Sequence, residues 1–314
     1  MCVTYRKGLQ GMKKITNIML MLVLFVGAML APLTVLADSD GKTDAIDEKF
    51  GAPIVVYGGS LSDTEKKKVK DSLNITENSD VQEIIVTGQD LAKYLKDGDA
   101  SARMFSSAKI TRKEAGKGLV IDIVTPDNIT QVTADMYANA MLTAGIQDAV
   151  VEIAAPKPVT GHSALVGIYK AYEVTGGELD PERTDVANDE LSVATILSKD
   201  AGVDEAKVSE LLTGIKKQIA EQNPASREDI EKIVSEQLSK LKIELSDKDR
   251  QLLVDLMDRI RQLDIDFSKW SDQLSDLSKT IEEKLSGIKD NEGFWKSVKE
   301  FFTNLIDSIR SIFS

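Results

Sequence analysis

The chain has 314 residues, 42% of them hydrophobic, and a formal net charge of −12. This excess of acidic residues argues against nucleic acid as a partner, because binding to phosphate backbones needs fields of Lys and Arg. With one cysteine and one histidine, the chain also lacks the usual ligands of a zinc or other transition-metal site, so we expect no metal and no cofactor.

The N-terminus is typical of a signal peptide over residues 1–37. Lys13 and Lys14 precede a run from Ile18 to Leu36 without a charged residue, and the small residue Ala37 follows it. We predict cleavage after Ala37 and a secreted or cell-envelope-associated protein. An uncleaved membrane anchor is the alternative, because the apolar run is nearly long enough to span a bilayer.

Removal of the signal peptide changes the chemistry of the chain. It takes away four basic residues and no acidic one, so the net charge becomes −16. It also takes away Cys2, so the exported form has no disulfide and no thiol nucleophile. The start of translation is open between Met1 and Met12, since residues 1–11 add nothing that a signal peptide needs.

The part that follows alternates strand and helix patterns. Residues 38–50 are polar and predicted to be a disordered linker. Residues 51–175 are predicted to form one α/β domain with a mixed sheet. Its predicted strands are 53–59, 81–88, 102–113, 118–125 and 148–155, with 102–113 and 118–125 paired as a β-hairpin.

Helical patterns replace strand patterns after Gly177. Residues 178–314 are predicted to be a helical domain that ends in an amphipathic helix over 292–313. The expected fold class is therefore α+β or α/β, with an N-terminal mixed-sheet α/β domain followed by an all-helical C-terminal region.

The stretch Gly161-His162-Ser163 is similar to the start of a serine-hydrolase nucleophile elbow. The full motif is G-x-S-x-G, but Leu165 stands where the second glycine belongs. A Ser-His-Asp triad needs an imidazole that reaches the serine from elsewhere in the fold, and the single histidine is adjacent to Ser163. We therefore predict no catalytic residue, and we favour a protein that is not an enzyme.

Two Thr-Gly pairs stand where a predicted strand passes into a helix. We expect Thr160 to cap its helix and Gly161 to let the chain turn tightly. Free N–H groups at helix N-termini can bind anions. The candidate ligand contacts are therefore Thr87, Gly88, Thr160, Gly161, His162 and Ser163.

The block MYANAMLTAGIQDAVVEIAAPKPVTGHSALVGIYKAYE, residues 136–173, resembles the central part of domain-of-unknown-function family 1002 (DUF1002). The segments GGSLSDTEKKKV, TGQDLAKYL and ARMFSSAKI resemble the same family in the same order. Members are secreted proteins of Gram-positive bacteria. The resemblance implies export and a shared fold, and it supplies no catalytic residue.

The predicted helix 292–313 places ten apolar residues on one face. A core helix that closes a bundle, an interfacial membrane helix, or a surface for self-association or a protein partner would each explain this stripe. Exposure to water would be costly, since burial of each large side chain is worth roughly 1.5–3 kcal/mol. The stripe consists of Phe294, Trp295, Val298, Phe301, Phe302, Leu305, Ile306, Ile309, Ile312 and Phe313.

Taken from the sequence, the most consistent function is a non-enzymatic binding or structural module of the cell envelope. The alternatives are a cell-wall-directed hydrolase that uses carboxylates and a membrane-surface protein tethered by the C-terminal amphipathic helix. The expected partners are a membrane surface, a wall component or a second copy of the chain. The sequence does not predict the ligand itself.

Overall fold

In a computed structural model of the chain, residues 50–266, 270, 273–279 and 281 are described. The predicted signal peptide 1–37 and residues 38–49 of the polar segment lie outside the described residues. The predicted amphipathic helix 292–313 lies outside them as well.

The N-terminal part forms a five-stranded mixed sheet, which confirms the predicted fold class. The strand order is β2-β1-β3-β5-β4. Pairing is parallel between β1 and β2 and between β4 and β5, and antiparallel where β3 meets β1 and β5. Strand β3 therefore runs opposite to the other four. The strands are β1 (Ile54–Gly58), β2 (Gln82–Val86), β3 (Ser107–Arg112), β4 (Leu119–Ile123) and β5 (Ala149–Ala154).

The predicted β3–β4 hairpin is wrong, because β5 lies between these two strands. Asp148, the residue before β5, binds both ends of the turn that joins them. Its carbonyl oxygen accepts from the Lys113 N–H at 3.0 Å, and its carboxylate accepts from the Gly118 N–H at 2.8 Å. Ala149, Val151 and Ile153 of β5 are fully buried, whereas no residue of β4 is buried, so the more buried of the two strands takes the more central place.

Helices cover both faces of the sheet. Val69 of the first helix and Leu73, its C-cap, contribute to a small cluster with Val55 and Tyr57. This helix begins at the predicted capping box, where the Ser62 N–H donates to Glu65 Oε2 at 3.0 Å. The opposite face joins the large core. The helices of this part are α1 (Asp63–Ser72), α2 (Gly88–Tyr94), α3 (Ala134–Ala144) and α4 (His162–Val174).

The described part of the C-terminal region is helical, as predicted. One hydrophobic cluster runs from the sheet through α3 and α4 into these helices, so the two parts share a continuous core. A boundary between separate domains at residues 175–178 stays a prediction. Among the described residues, no helix combines the length and the hydropathy that a membrane crossing requires. The helices are α5 (Pro181–Lys199), α6 (Glu205–Gln222), α7 (Arg227–Leu241) and α8 (Asp247–Gln262).

Candidate functional site

The carboxyl-terminal edge of the sheet is where an open α/β sheet usually binds its ligand. Strands β1, β2, β4 and β5 end at this edge and the antiparallel β3 begins there. Both Thr-Gly pairs that the sequence singled out follow strands that end here. The sheet therefore brings the predicted contacts to one side of the molecule.

The crevice between β1, β2 and β3 at this edge is occupied by residues 98–106, here called the edge loop. Ser60 holds the loop through two hydrogen bonds to Met104. The Ser60 N–H donates to the Met104 carbonyl at 2.9 Å, and the Ser60 hydroxyl accepts from the Met104 N–H at 3.0 Å. A Cβ on Gly88 would lie 2.3 Å from the Ala100 carbonyl oxygen, and one on Gly58 would lie 2.5 Å from that of Met104. These two positions therefore need glycine because the backbone of the edge loop packs directly against them.

The N-terminus of α2, at Thr87 and Gly88, already holds an anion from its own chain. The Asp90 carboxylate accepts from the Thr87 N–H at 2.8 Å and its hydroxyl at 3.0 Å, and it pairs with Lys170 at 2.8 Å. Burial would raise the pKa of Asp90, but the bonds from Lys170 and Thr87 lower it below its ordinary value. Thr87 and Gly88 therefore serve the helix itself.

The N-terminus of α4 is built differently from the expectation. Gly161, not Thr160, is the N-cap, and it adopts φ of 103°. The Tyr137 hydroxyl donates to the Gly161 carbonyl at 2.6 Å, and a Cβ at Gly161 would lie 2.7 Å from that hydroxyl oxygen. Glycine is needed here for two reasons: other residues rarely adopt this positive φ, and a Cβ would clash with the tyrosine hydroxyl.

His162 and Ser163 contact different parts of the fold. His162 Nε2 lies 3.4 Å from the Thr195 hydroxyl on α5, and burial lowers the pKa of the imidazole. The Ser163 hydroxyl accepts from the Ser106 N–H at 3.4 Å. The imidazole is therefore directed to α5, whereas the serine is directed to the edge loop, and the two do not form a nucleophile–base pair.

Two cations lie beside the Phe105 ring of the edge loop. Lys157 Nζ is 4.0 Å from the centre of the Phe105 ring, and the Arg103 guanidinium is 4.8 Å from it. Lys157 also pairs with Glu65 at 2.8 Å. The hydrogen bond from Lys157, followed by those from Ser62, lowers the pKa of Glu65 to about 2.

The edge-loop residues Arg103, Phe105 and Ser106 were not among the predicted contacts. Their local sequence, Arg-Met-Phe-Ser-Ser, is typical of a strand start. Ser106 and Ser163 are 57 positions apart in the chain. The direction of β3 was the missing information, because an antiparallel β3 begins at the edge where the other strands end.

Carboxylates also line a cleft between α2 and α5, but a guanidinium holds them. Arg259 of α8 bonds to both Asp185 and Asp189. The other Asp185 oxygen accepts from the Lys96 N–H at 2.9 Å. Within the described part of the chain, no three His, Cys, Asp or Glu side chains are grouped to hold a metal ion.

A second groove of about 830 Å³ lies beside the outer edge of β4. Its walls are β4, α3 and residues 273–279, and its polar lining includes Gln147 and Gln273. The acidic residues at its rim are Asp135 and Asp276, the latter paired with Lys279 at 3.4 Å. The groove holds none of the residues that the sequence predicted as contacts.

Comparison with known proteins gives a family and no activity. No solved structure matches the chain. A relative from Bacillus subtilis (strain 168), the uncharacterized protein YpuA, is 33% identical over 278 residues, which cover 87% of this chain and 93% of the relative. The family model described as a protein of unknown function, DUF1002, matches residues 57–277. The match spans strands β2 to β5, the end of β1, the edge loop and all eight labelled helices, and the chain belongs to the DUF1002 family.

Proposed function

We propose that the protein is an exported module of the cell envelope that binds or organises envelope material and is not an enzyme. The predicted signal peptide over residues 1–37 supports export. The exported chain has no cysteine, which supports a role without thiol chemistry. Its net negative charge supports a role that does not require an extended contact with a polyanion.

The observation that carries the proposal is the occupied crevice at the strand ends. An enzyme with an open α/β sheet needs room at this edge for substrate. Here Gly58 and Gly88 contact the backbone of the edge loop at distances that leave no space for a methyl group. The remaining surface at this edge is the outer side of the loop and the first turn of α4, which suits contact with a partner.

The carboxylate hydrolase is less well supported. Such an enzyme needs one carboxyl group that can give up a proton and a second that stays ionised. The pair in the cleft, Asp185 and Asp189, shares the guanidinium of Arg259, so both carboxylates are already bound to a cation of the protein itself. This arrangement favours a structural role for the two carboxylates.

Attachment to a membrane surface is a second candidate function. The ten apolar residues of 292–313 follow helical spacing with charged residues opposite. The family match ends at residue 277, before this stripe begins. The stripe thus lies outside the residues that the family model matches.

The test combines location and turnover. Fractionation of the producing cells, with N-terminal sequencing of the recovered chain, is expected to find it outside the cytoplasm beginning at Asp38. The purified exported chain is expected to leave peptidoglycan, teichoic acid and ester substrates unchanged. Turnover of any of these substrates, lost on exchange of Asp185 or Asp189 for Asn, would contradict the proposal and favour the hydrolase.

A further inference from the structure

We propose that the groove beside the outer edge of β4 binds an extended peptide, which adds to the sheet as a further strand and places its free carboxylate at Lys117. This inference rests on the proposed function, because it names the class of partner that the binding module takes. The site is here called the β4 groove. Its walls are residues 116–121, one face of α3 and the helical residues 273–279.

The backbone of β4 has free hydrogen-bonding groups on its outer side. The N–H of Val124, just after β4, donates to the Ile153 carbonyl at 2.9 Å, so the even-numbered residues of this segment face β5. The odd-numbered residues therefore direct their N–H and C=O groups outward, and two of them, Leu119 and Ile121, line the groove. None of the described residues bonds to these outward groups. Such a row of backbone groups is a template for another strand.

The opposite edge of the sheet, at β2, is protected against such an addition. Val86 bonds to the segment after β1, so the preceding residue, Ile85, faces outward. Lys170 Nζ donates to the Ile85 carbonyl at 2.8 Å. Glu83, also outward, carries a charge that pairs with Lys70 at 2.6 Å. Charges on an edge strand hinder the pairing of a further strand, and β4 contains no Lys or Arg. The two edges therefore differ, and β4 is the open one.

The walls of the β4 groove suit the side chains of an extended chain. Alternate side chains of an added strand point to the α3 side of the sheet. On that side α3 presents the small residues Ala134 and Ala138, followed by Leu142 on the same face. Leu277 contributes an apolar side chain to the opposite wall. The groove volume of about 830 Å³ lies within the usual range of ligand pockets. These walls favour apolar side chains at every second position of the peptide.

The charges of the groove give the peptide a direction. Strands β4 and β5 are parallel and α3 connects them, so α3 runs antiparallel to β4. Asp135, in the first turn of α3, therefore lies towards the C-terminal end of β4, whereas Lys117 precedes β4 at the other end. Asp276 of the third wall is paired with Lys279 at 3.4 Å. A peptide antiparallel to β4 brings its carboxyl end to Lys117, where the charges are complementary.

The turn before β4 offers donors to a terminal carboxylate. Lys117 is exposed, and no residue in the described ranges accepts from its ammonium group. Gly116 and Gly118 on either side adopt φ of 84° and 71°, a backbone that favours glycine. The Gly118 N–H is directed away from the groove, to Asp148 at 2.8 Å, and the next N–H, that of Leu119, is the first one that faces outward. The ammonium and this N–H together suit the two oxygens of a carboxylate.

The first experiment titrates the full exported chain with the acetylated pentapeptides KTVTV, KTLTL, KTITI and KTFTF, followed by NMR. Each peptide is used with a free carboxylate and as its C-terminal amide. We expect saturable binding of the carboxylate forms, with the largest amide shifts at residues 117–121. The amide forms are expected to bind about fivefold more weakly, because they bring no charge to Lys117. This difference should shrink as salt is added, since Lys117 is exposed. Absence of saturable binding by every peptide would overturn the proposal.

K117Q tests the position of the carboxylate. It is expected to weaken binding of the carboxylate forms about fivefold and to leave binding of the amide forms unchanged. K113Q is the matched control, because Lys113 is an exposed lysine of the same turn, has no ion pair within the described chain and does not line the groove. It is expected to bind both forms like the wild type. Equal affinity of K117Q and the wild type for the carboxylate forms, or equal weakening by both variants, would overturn the assignment.

Hydrogen exchange tests the addition of a strand and needs no variant. Saturation with peptide is expected to slow exchange of the Leu119 and Ile121 N–H groups about tenfold or more, because each gains an acceptor. Exchange at Val120 and Asp122 is expected to stay unchanged, because these residues already face β5. This alternation is specific to a paired strand. Equal slowing at all four positions, or at none, would contradict strand addition.

Exchange measured before peptide is added identifies any other occupant of the groove. Slow exchange at Leu119 and Ile121 that strengthens with protein concentration would assign the edge to a second copy of the chain. Slow exchange that is independent of concentration would assign it to another segment of the same chain. Either result would overturn the peptide as the occupant.

Failure of this inference is distinguishable from failure of the proposed function. If the chain fractionates with the envelope but binds none of the peptides, this inference alone fails. If the chain turns over wall substrates, the proposed function fails whatever the peptide result.

Discussion

Lys216 Nζ lies 2.6 Å from Glu190 Oε1, and both side chains are buried. The ammonium also donates to the Asn139 carbonyl at 3.0 Å, and the Thr143 hydroxyl donates to Glu190. Burial lowers the pKa of Lys216, and the charge of Glu190 opposes that shift. This network joins α3, which packs beside the sheet, to α5 and α6 of the helical region.

Removal of one partner of this ion pair is expected to be far worse than removal of both. In K216M, Glu190 remains buried without its cation, and the free energy of unfolding should fall by about 3–5 kcal/mol. In the double variant K216M/E190L both charges are gone, and most of the loss should be recovered. Urea denaturation measures both values. A single variant that costs less than the double would show that the pair is not coupled.

His162 is expected to give a pH dependence of stability. Burial holds the pKa of the imidazole below its ordinary value of 6.5. As the pH falls through about 6.5, the unfolded chain takes up the proton before the folded chain does, so the free energy of unfolding decreases. The stabilisation is thus present above pH 6.5 and is lost towards the lower folded pKa.

The measurement is urea denaturation between pH 5 and pH 8, with H162Q as the control. Subtraction of the two curves removes the contribution of the carboxylates and leaves that of the imidazole. NMR of the single histidine should show a titration midpoint below 6.5. Equal pH dependence in H162Q and the wild type would contradict the assignment.

Local sequence patterns predicted helix starts such as the one at Ser62, but they did not predict which strands pair across the sheet. The capping box of Ser62 and Glu65 is a pattern four residues long, and the structure contains it. The β3–β4 hairpin failed because the place of β5 depends on Asp148 and on burial of the whole strand. The contact of Ser106 with Ser163 likewise follows from strand order, which no local pattern encodes.

The edge loop gives a stability prediction. In G88A the new methyl group would lie 2.3 Å from the Ala100 carbonyl oxygen, so the loop must move, and we expect a loss of about 1–3 kcal/mol. G167A is the control, because its nearest neighbour is a Val56 side-chain atom at 3.3 Å and alanine suits a helix better than glycine. Hydrogen exchange in residues 98–106 should accelerate in G88A only.

Glu65 gives a direct test of its ion pair with Lys157. Its pKa is lowered to about 2, first by the hydrogen bond from Lys157 and then by those from Ser62. In K157Q the carbon NMR titration of Glu65 should therefore shift towards 4.5, while Ser62 keeps it below that value. Since the folded pKa is depressed, the stabilising effect is present above pH 4.5 and is lost as the pH falls towards 2. An unchanged titration would show that Lys157 is not the partner of Glu65 in solution.

The apolar stripe of 292–313 leads to the last prediction. The family match ends at residue 277, so the shared fold is expected to form without the stripe. The exported chain should therefore keep its melting temperature within a few degrees when it is shortened to residue 290. Co-sedimentation with vesicles should be found for the full exported chain and be absent from the short form.

Three outcomes of this comparison separate the interpretations of the stripe. Ten large side chains buried in the core would be worth roughly 1.5–3 kcal/mol each, which no domain of this size could lose without a sharp fall in melting temperature. Such a fall, without vesicle binding by either form, would make the stripe part of the core. Equal melting without vesicle binding would direct the search to self-association, which sedimentation of the full chain at increasing concentration then measures. Vesicle binding by the full chain alone would place the folded part at a membrane surface.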